Sequence, residues 1–397
     1  MELERYSSTE YGQPTNKGAS LWYFEPEPLR RSLPLSSETV MALSGADNAL
    51  GRLASAGKYL RDPALFVRPY MTREAVASSR IEGTEASLSD VLQAEAVGEE
   101  PRADVQEVRN YIAALDAGLE LLPQVGISYR LIRELHSVLM SGVRGRAKRP
   151  GELRTLPVYL GSPTESAETA VFVPPMPPSI PALLTDWETF VHENPRLPAL
   201  VQCAMLHYQF ETIHPFMDGN GRVGRLLIVF FLLSKGLLPA PLLYVSAYLE
   251  QNRREYYDRL QGVRERGEME EWIQFFLTAV TAQAQDAVGR AEELYDLRET
   301  YRSMLAGSRS RAIEVVDLLM ENPFITARGV ASRLQMTNQG ALNLIRTLEG
   351  HGWLQAIGTM GRGGRAYWVA PTVFDIINRV PGSGPGDVGD IQVTLAR

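Results

Sequence analysis

His214-Pro215-Phe216-Met217-Asp218-Gly219-Asn220-Gly221-Arg222-Val223-Gly224-Arg225 is the stretch on which the fold and the chemistry turn. It stands between a helical pattern at about 198–210 and the apolar run Leu226 to Leu233, so it joins two helices. Gly219, Asn220 and Gly221 tolerate positive φ, which lets successive N–H groups converge at the start of the second helix as a nest for phosphate. Arg222 and Arg225, three apart, share a helix face and match phosphate oxygens. Asp218 supplies one hard oxygen suited to Mg2+ that keeps phosphate and water as its other ligands. His214, at the loop entrance, is placed to take a proton from an incoming hydroxyl. The bland alternative is a tight inter-helix loop with a capping histidine and solvated arginines. Base, metal ligand, anion nest and two arginines within twelve residues favour the chemical reading.

The stretch resembles the Fic signature, H-x-F-x-(D/E)-G-N-(G/K)-R-x-x-R, at every specified position, and similarity in order and spacing runs from about Trp22 to Val280. The resemblance implies a helical core and transfer of AMP from ATP to Ser, Thr or Tyr hydroxyls of a protein. His214 is then the base, Asp218 the metal ligand, and Gly219, Asn220, Gly221 and Arg222 the phosphate cradle. Val223 and Gly224 carry the helix on to Arg225, which reaches the terminal phosphate. Phe216 anchors the loop in the core. Tyr257 follows at the spacing where relatives place an adenine-contacting tyrosine, and its aromatic face suits a purine.

Upstream, Ser78-Ser79-Arg80-Ile81-Glu82-Gly83 closes another helical pattern, with Gly83 as its C-terminal cap. A glutamate in a last helical turn meets the negative end of the helix dipole, so Glu82 is better placed facing a cation. The segment resembles the Fic inhibitory motif, (S/T)-x-x-x-E-(G/N), at Ser78, Glu82 and Gly83. That likeness implies that Glu82 pairs with Arg225 and obstructs the γ-phosphate, giving low basal transfer; some relatives use the same glutamate to remove AMP. Residues 153–161, returning through Val171 to Pro175, read as a β-hairpin and resemble the family's flap, which holds a target segment by strand pairing. Tyr159 stands where many relatives carry tryptophan.

After Ser308 the composition changes. Helical patterns at Arg311 to Met320, Ala327 to Leu334 and Asn338 to His351 precede the glycine-rich Gly358 to Gly364 between two strand-like runs, resembling a winged helix-turn-helix. Asn338, Gln339, Asn343 and Arg346 on the helix expected to be its recognition helix suit either DNA or a protein partner. The expected organisation is an N-terminal helical region over 1–125, a catalytic core over 126–285, a helical linker over 286–308, a winged-helix unit over 309–375 and a disordered tail over 376–397. The fold class is mainly α.

The composition bounds the rest. The 397 residues are 45 % hydrophobic, enough for a large core, and 40 basic against 47 acidic residues give a net charge of -7, which excludes a molecule-wide surface for nucleic acid. The longest apolar run falls short of a membrane span, and the start lacks a secretory pattern, so a soluble cytoplasmic protein is expected. The single Cys203 reads as a core thiol, and His136, His192, His207 and His351 show no metal-ligand spacing and receive no role. Homodimers are common in similar proteins. The rival readings are a DNA-binding regulator whose nucleotide pocket senses ligand, and removal of AMP or other nucleotidyl transfer on the same fold.

Overall fold

The computed structural model describes residues 2–59, 64–98, 100–142, 149–161, 164, 166, 167, 169–193, 195–307, 310–360 and 365–379. Of the tail expected to be disordered over 376–397, residues 380–397 lie outside these residues, as do Gly361 to Gly364 of the expected wing. Ile376 and Ile377, by contrast, are buried in the last helix because their side chains pack into the core.

A short antiparallel pair, β1 (Gly12–Thr15) and β2 (Tyr23–Pro26), precedes the helices. The bundle follows as α1 (Ser37–Tyr59), α2 (Ala64–Ile81), α3 (Leu88–Val97), α4 (Ala103–Val125), α5 (Tyr129–Leu139), α6 (Ile180–His192), α7 (Ala199–Ile213), α8 (Asn220–Ser234), α9 (Ser246–Gln251), α10 (Arg253–Arg266) and α11 (Met269–Met304). Helix α7 is buried along almost its whole length, so it forms the axis of the bundle rather than an amphipathic face. Its successor α8 buries Leu226 to Leu232 against α7, α4 and α5. Two buried tryptophans lock this centre through their indole N–H groups: Trp187 donates to the Leu206 carbonyl at 2.9 Å and Trp272 to that of Ala204 at 2.9 Å.

Beyond α11 come α12 (Ala312–Glu321), β3 (Phe324–Thr326), α13 (Ala327–Arg333), α14 (Asn338–Gly350), β4 (Gln355–Met360), β5 (Arg365–Val369) and α15 (Pro371–Asn378). The three strands form an antiparallel sheet in the order β3-β5-β4. Thr326 and Thr337 cap the N-termini of α13 and α14 with their hydroxyls. This unit packs on α2, α3 and α11, and the Asn322 amide donates to the Leu92 carbonyl of α3 at 3.0 Å. Buried Arg290 of α11 donates to the carbonyls of Ile376 and Ile377 at the end of α15. One continuous hydrophobic cluster therefore runs from the bundle into the C-terminal elements.

No helix among the described residues is long and apolar enough to cross a membrane.

Candidate active site

The site begins where α7 stops. Its amide still bonded to the Phe210 carbonyl at 2.9 Å, His214 turns into the left-handed region at φ 49°. A non-glycine residue there is uncommon, and here it throws the imidazole off the helix axis. Asn220 then folds the loop onto itself, accepting from the Phe216 N–H at 2.8 Å and donating to the Phe216 carbonyl at 2.9 Å. Fully buried Phe216 stacks on His136 with ring centroids 3.8 Å apart. The His136 Nδ1 accepts the Gly151 N–H at 2.8 Å, so its proton resides on Nε2 and is donated to the Asp218 carbonyl at 3.0 Å. Burial pushes His136 down to about 4, which keeps this strut neutral.

Helix α8 opens with Gly219 at φ 77°, and its N-terminus forms one wall of a 710 Å³ cavity. His214, Asp218, Gly219, Asn220, Gly221 and Arg225 line that wall; Tyr257 and Arg264 of α10 stand on another, and Leu160 and Phe172 of the flap on a third. The His214 Nδ1 lies 3.4 Å from the Glu211 carbonyl, an acceptor, which leaves Nε2 as the atom able to take a proton. Burial, with the Arg154 and Arg264 guanidiniums, pushes His214 down to about 3. The imidazole is thus neutral throughout the physiological range.

Buried Arg154 fixes the approach to the loop. It donates from Nε to the His214 carbonyl at 2.8 Å and from a terminal nitrogen to the Pro175 carbonyl at 2.6 Å, while its own amide donates to the Pro215 carbonyl at 2.9 Å. Flap and signature loop are therefore stitched by one cation. The hairpin expected there is reduced to a single antiparallel bridge between Leu160 and Phe172. Pro157, Pro174 and Pro175 explain the shortness of the pairing, because proline has no N–H to give a ladder.

Arg225 is 1 % exposed, four residues after Gly221 and on the same face of α8. It donates to the Ser78 hydroxyl at 2.8 Å, to the Ser78 carbonyl at 2.9 Å and to Glu82 at 2.7 Å. Burial works against its charge, but Glu82 and the neighbouring acids hold its pKa above the ordinary arginine value. The Ser78 contacts use up the C-terminal turn of α2, and Gly83, at φ 94°, turns the chain away behind Glu82. A Cβ on Gly221 would collide with the Glu82 carboxylate. That carboxylate therefore rests against the opening turn of α8, where a bound anion would sit.

The signature is not turned as a block toward the cavity. Arg222, Val223 and Gly224 do not line it, because the helix rotates about 100° per residue and presents Gly221 and Arg225 instead. Arg222 is buried, with a terminal nitrogen 3.9 Å from Glu107 and another 3.8 Å from Asp218, and its Nε has no hydrogen-bond partner. Val223 is core, and Gly224 permits close approach of Glu211, whose carboxylate a Cβ would strike. Tyr257 is 42 % exposed at the cavity, with the Arg253 guanidinium 5.7 Å from its ring centroid.

Glu211, His136 and Arg264 belong to the site although the sequence did not single them out. Glu211 is 7 % exposed, leaves Oε1 without a partner, and is pushed up to about 7 by burial, against the pull of Arg225. It stands one helical turn before His214, a spacing that offered the only sequence signal. Arg264 is buried with its guanidinium 3.8 Å from the Phe172 ring centroid and donates to the Thr212 hydroxyl at 3.1 Å. His207, by contrast, is a core residue bonded to the Tyr256 hydroxyl at 2.9 Å.

Asp218 is half-exposed at the cavity, with Oδ1 accepting the Gly219 N–H at 2.6 Å. Its other oxygen is free to meet a cation. Among the described residues no cluster of three or more His, Cys, Asp or Glu side chains gathers to hold a metal. A single open carboxylate fits Mg2+, which retains water and phosphate oxygens, and does not fit an ion needing an all-protein cage.

Residues 40–120 match the family model described as Fic/DOC family N-terminal, and residues 126–232 match the Fic/DOC family model. Among curated proteins the chain is similar to the protein adenylyltransferase Fic of Aedes aegypti, 29 % identical over 42 % of this chain and 31 % of that protein. It is 32 % identical to the protein of the same name from Culex quinquefasciatus over 32 % of this chain and 22 % of that one. The matches thus span less than a third of those relatives' length. A crystal structure of a Fic family protein from Desulfovibrio desulfuricans G20 superposes with a TM-score of 0.56 at 22 % identity, covering 86 % of this chain and 98 % of that one, which is a likeness of fold. Two segments of this chain, residues 40–120 and 126–232, are thus similar to the Fic/DOC family models, and the signature loop lies within the second.

Proposed function

We propose that the chain transfers AMP from ATP to a hydroxyl side chain of a protein and that Glu82 restrains it. The observation that carries this reading is the convergence, in one cavity, of an imidazole with a free acceptor nitrogen and a helix N-terminus built to receive anionic oxygens. The names of the curated relatives support the same reaction class.

In this reading the acceptor is a Ser, Thr or Tyr hydroxyl of a segment held at the flap, or of the chain itself. Its proton passes to His214 Nε2 as its oxygen bonds to the α-phosphorus; the bond from that phosphorus to the bridging oxygen breaks, and pyrophosphate leaves with the electron pair. The opening turn of α8 receives phosphate oxygens. Arg225 takes the terminal phosphate once Glu82 has withdrawn. Tyr257 offers its ring to the base. Asp218 would hold Mg2+, which supplies charge neutralisation for the phosphates. Arg222, which does not itself line the cavity, lies 3.8 Å behind Asp218 and supports it by charge.

The test is transfer of label from α- and γ-labelled ATP by the native chain, Glu82→Gly and Glu82→Gly/His214→Ala. Label from the α-position alone, raised by the first substitution and lost with the second, is the expected outcome. Label from the γ-position identifies a kinase-like reaction, and no label from either removes this proposal.

A second partner is suggested by α14, which exposes Asn338, Gln339, Asn343 and Arg346 beside the three-stranded sheet. We read the C-terminal elements as a winged helix able to meet duplex DNA. A salt-dependent mobility shift of duplex DNA by the full chain, weakened by Arg346→Ala, is expected; no shift at low salt leaves a protein as the docking partner.

A further inference from the structure

The flap is not an isolated hairpin. Its inner strand, Val171 to Val173, is covered by the N-terminal segment. The Phe24 amide of β2 donates to the Val173 carbonyl at 2.9 Å, so the strand lies against β2 on one side and bridges Leu160 on the other. Side chains on successive residues of a strand point to opposite faces, and both faces are used. Phe24 and Tyr6 pack with Phe172 and Leu160 in one cluster. Tyr23 packs with Val173, Ala170 and Tyr159 in another, so Tyr159 belongs to the cluster that joins the flap to the N-terminal hairpin.

One hydroxyl completes the joint. Buried Tyr6 donates to the Val171 carbonyl at 2.9 Å and accepts from the Gln261 side chain at 2.7 Å. Gln261 lies on α10, one turn beyond Tyr257, and itself lines the cavity. The N-terminal segment thus ties the cavity wall that carries Tyr257 to the flap. Leu160 is bridged to Phe172 on its inner side, while the amides of Val158 and Tyr159 make no hydrogen bond among the described residues, so the outer side of 156–160 is the flap's unpaired edge.

Resting on the proposed transfer, we infer that Tyr6 is a positioning residue: it fixes the inner flap strand so that an acceptor segment pairs only along 156–160, at a set distance from His214. On its inner side the flap already accepts the Phe24 amide of β2. Without the phenol, the Val171 carbonyl and the Gln261 amide lose their common partner, and the direct tie between the inner flap strand and α10 is gone, while the Phe24–Val173 and Leu160–Phe172 bonds remain.

Two measurements test this with the full chain, in Tyr6→Phe, which keeps the ring, and Gln261→Glu, which replaces the donor to the phenol. Hydrogen exchange reads the joint without any activity: the amides of Leu160, Val171 and Phe172 should exchange about tenfold faster in Tyr6→Phe than in the native chain. The second measurement, in the Glu82→Gly background, uses the Glu82→Gly/His214→Ala chain as acceptor in trans. Its KM should rise about fivefold or more while the KM for ATP stays within about twofold. Unchanged exchange overturns the inference whatever the activity. Equal effects on acceptor and ATP also overturn it, since a generally loosened fold would do the same. If the Glu82→Gly chain transfers no AMP, the proposed reaction fails, while the exchange experiment still decides the joint.

Discussion

Under the proposed reaction, replacing Glu82 by glycine removes an anion from the opening turn of α8, where the nucleotide's phosphates would sit. The pair lies at 2.7 Å, with the arginine side chain 1 % and the glutamate 34 % exposed. At an effective dielectric near ~20 the bare attraction is about 6 kcal/mol. Desolvation of Arg225 and the open side of Glu82 consume most of that, leaving about 1.5–3 kcal/mol, the range of a hydrogen bond between charged partners. A phosphate that must displace Glu82 bears that cost, so its removal should raise the rate of AMP transfer by about 10- to 100-fold. The same change leaves buried Arg225 with only Ser78. Glu82→Gly should therefore melt earlier without nucleotide and gain a larger rise in Tm from ATP with Mg2+ than the native chain. Glu82→Gln, which keeps the volume and loses the charge, should fall between them. The assay is α-labelled ATP incorporation beside thermal unfolding with and without ATP. A Glu82→Gly chain that labels no faster and shows no larger ATP shift would refute the idea that the carboxylate occupies the nucleotide's place.

Three further outcomes are expected. Glu211, at an ordinary value of 4.5 when unfolded and about 7 when folded, binds more protons in the native state between those pH values, so native stability falls as pH rises through that window. Glu211→Gln should abolish that slope and stabilise the chain at pH 8 by up to ~3 kcal/mol, read from Tm against pH; an identical slope in both chains refutes it. Gly219→Ala must place a Cβ at φ 77° with Met140 Sδ 3.0 Å away, and should lose about 1–3 kcal/mol of stability together with nucleotide binding, measured by unfolding and calorimetry. Arg154→Ala frees the His214 and Pro175 carbonyls and should lower kcat by at least ~10-fold with little change in the KM for ATP; a change confined to KM would assign Arg154 to nucleotide binding instead.

Much of this molecule is local in the chain, and that is why so much of it was legible. The turn at Gly219, the reach of Asn220 back to Phe216, and the position of Arg225 one turn after Gly221 all lie within twelve residues, where backbone preference and helical periodicity decide geometry. The amphipathic stripes that form the bundle are of the same kind. Sequence alone therefore determined the helical class, the loop and the place of His214 and Gly219 at its two ends.

What only the tertiary structure decided involves partners far apart in sequence. Arg225 meets Ser78 and Glu82 across 147 and 143 residues, and Tyr6 meets Val171 and Gln261 across 165 and 255. His136 reached its place under Phe216, Arg154 its carbonyls and Arg264 its ring only when separate helices packed. The direction in which each signature residue faces was decided in the same way: Arg222 and Arg225 are both arginines three apart, yet packing of α8 against α4 and α2 turns one toward Glu107 and the other toward the cavity. Side-chain spacing specifies the angle between residues on a helix, whereas the rotation of that helix about its own axis is chosen by the burial of its apolar face. That choice is a property of the whole core.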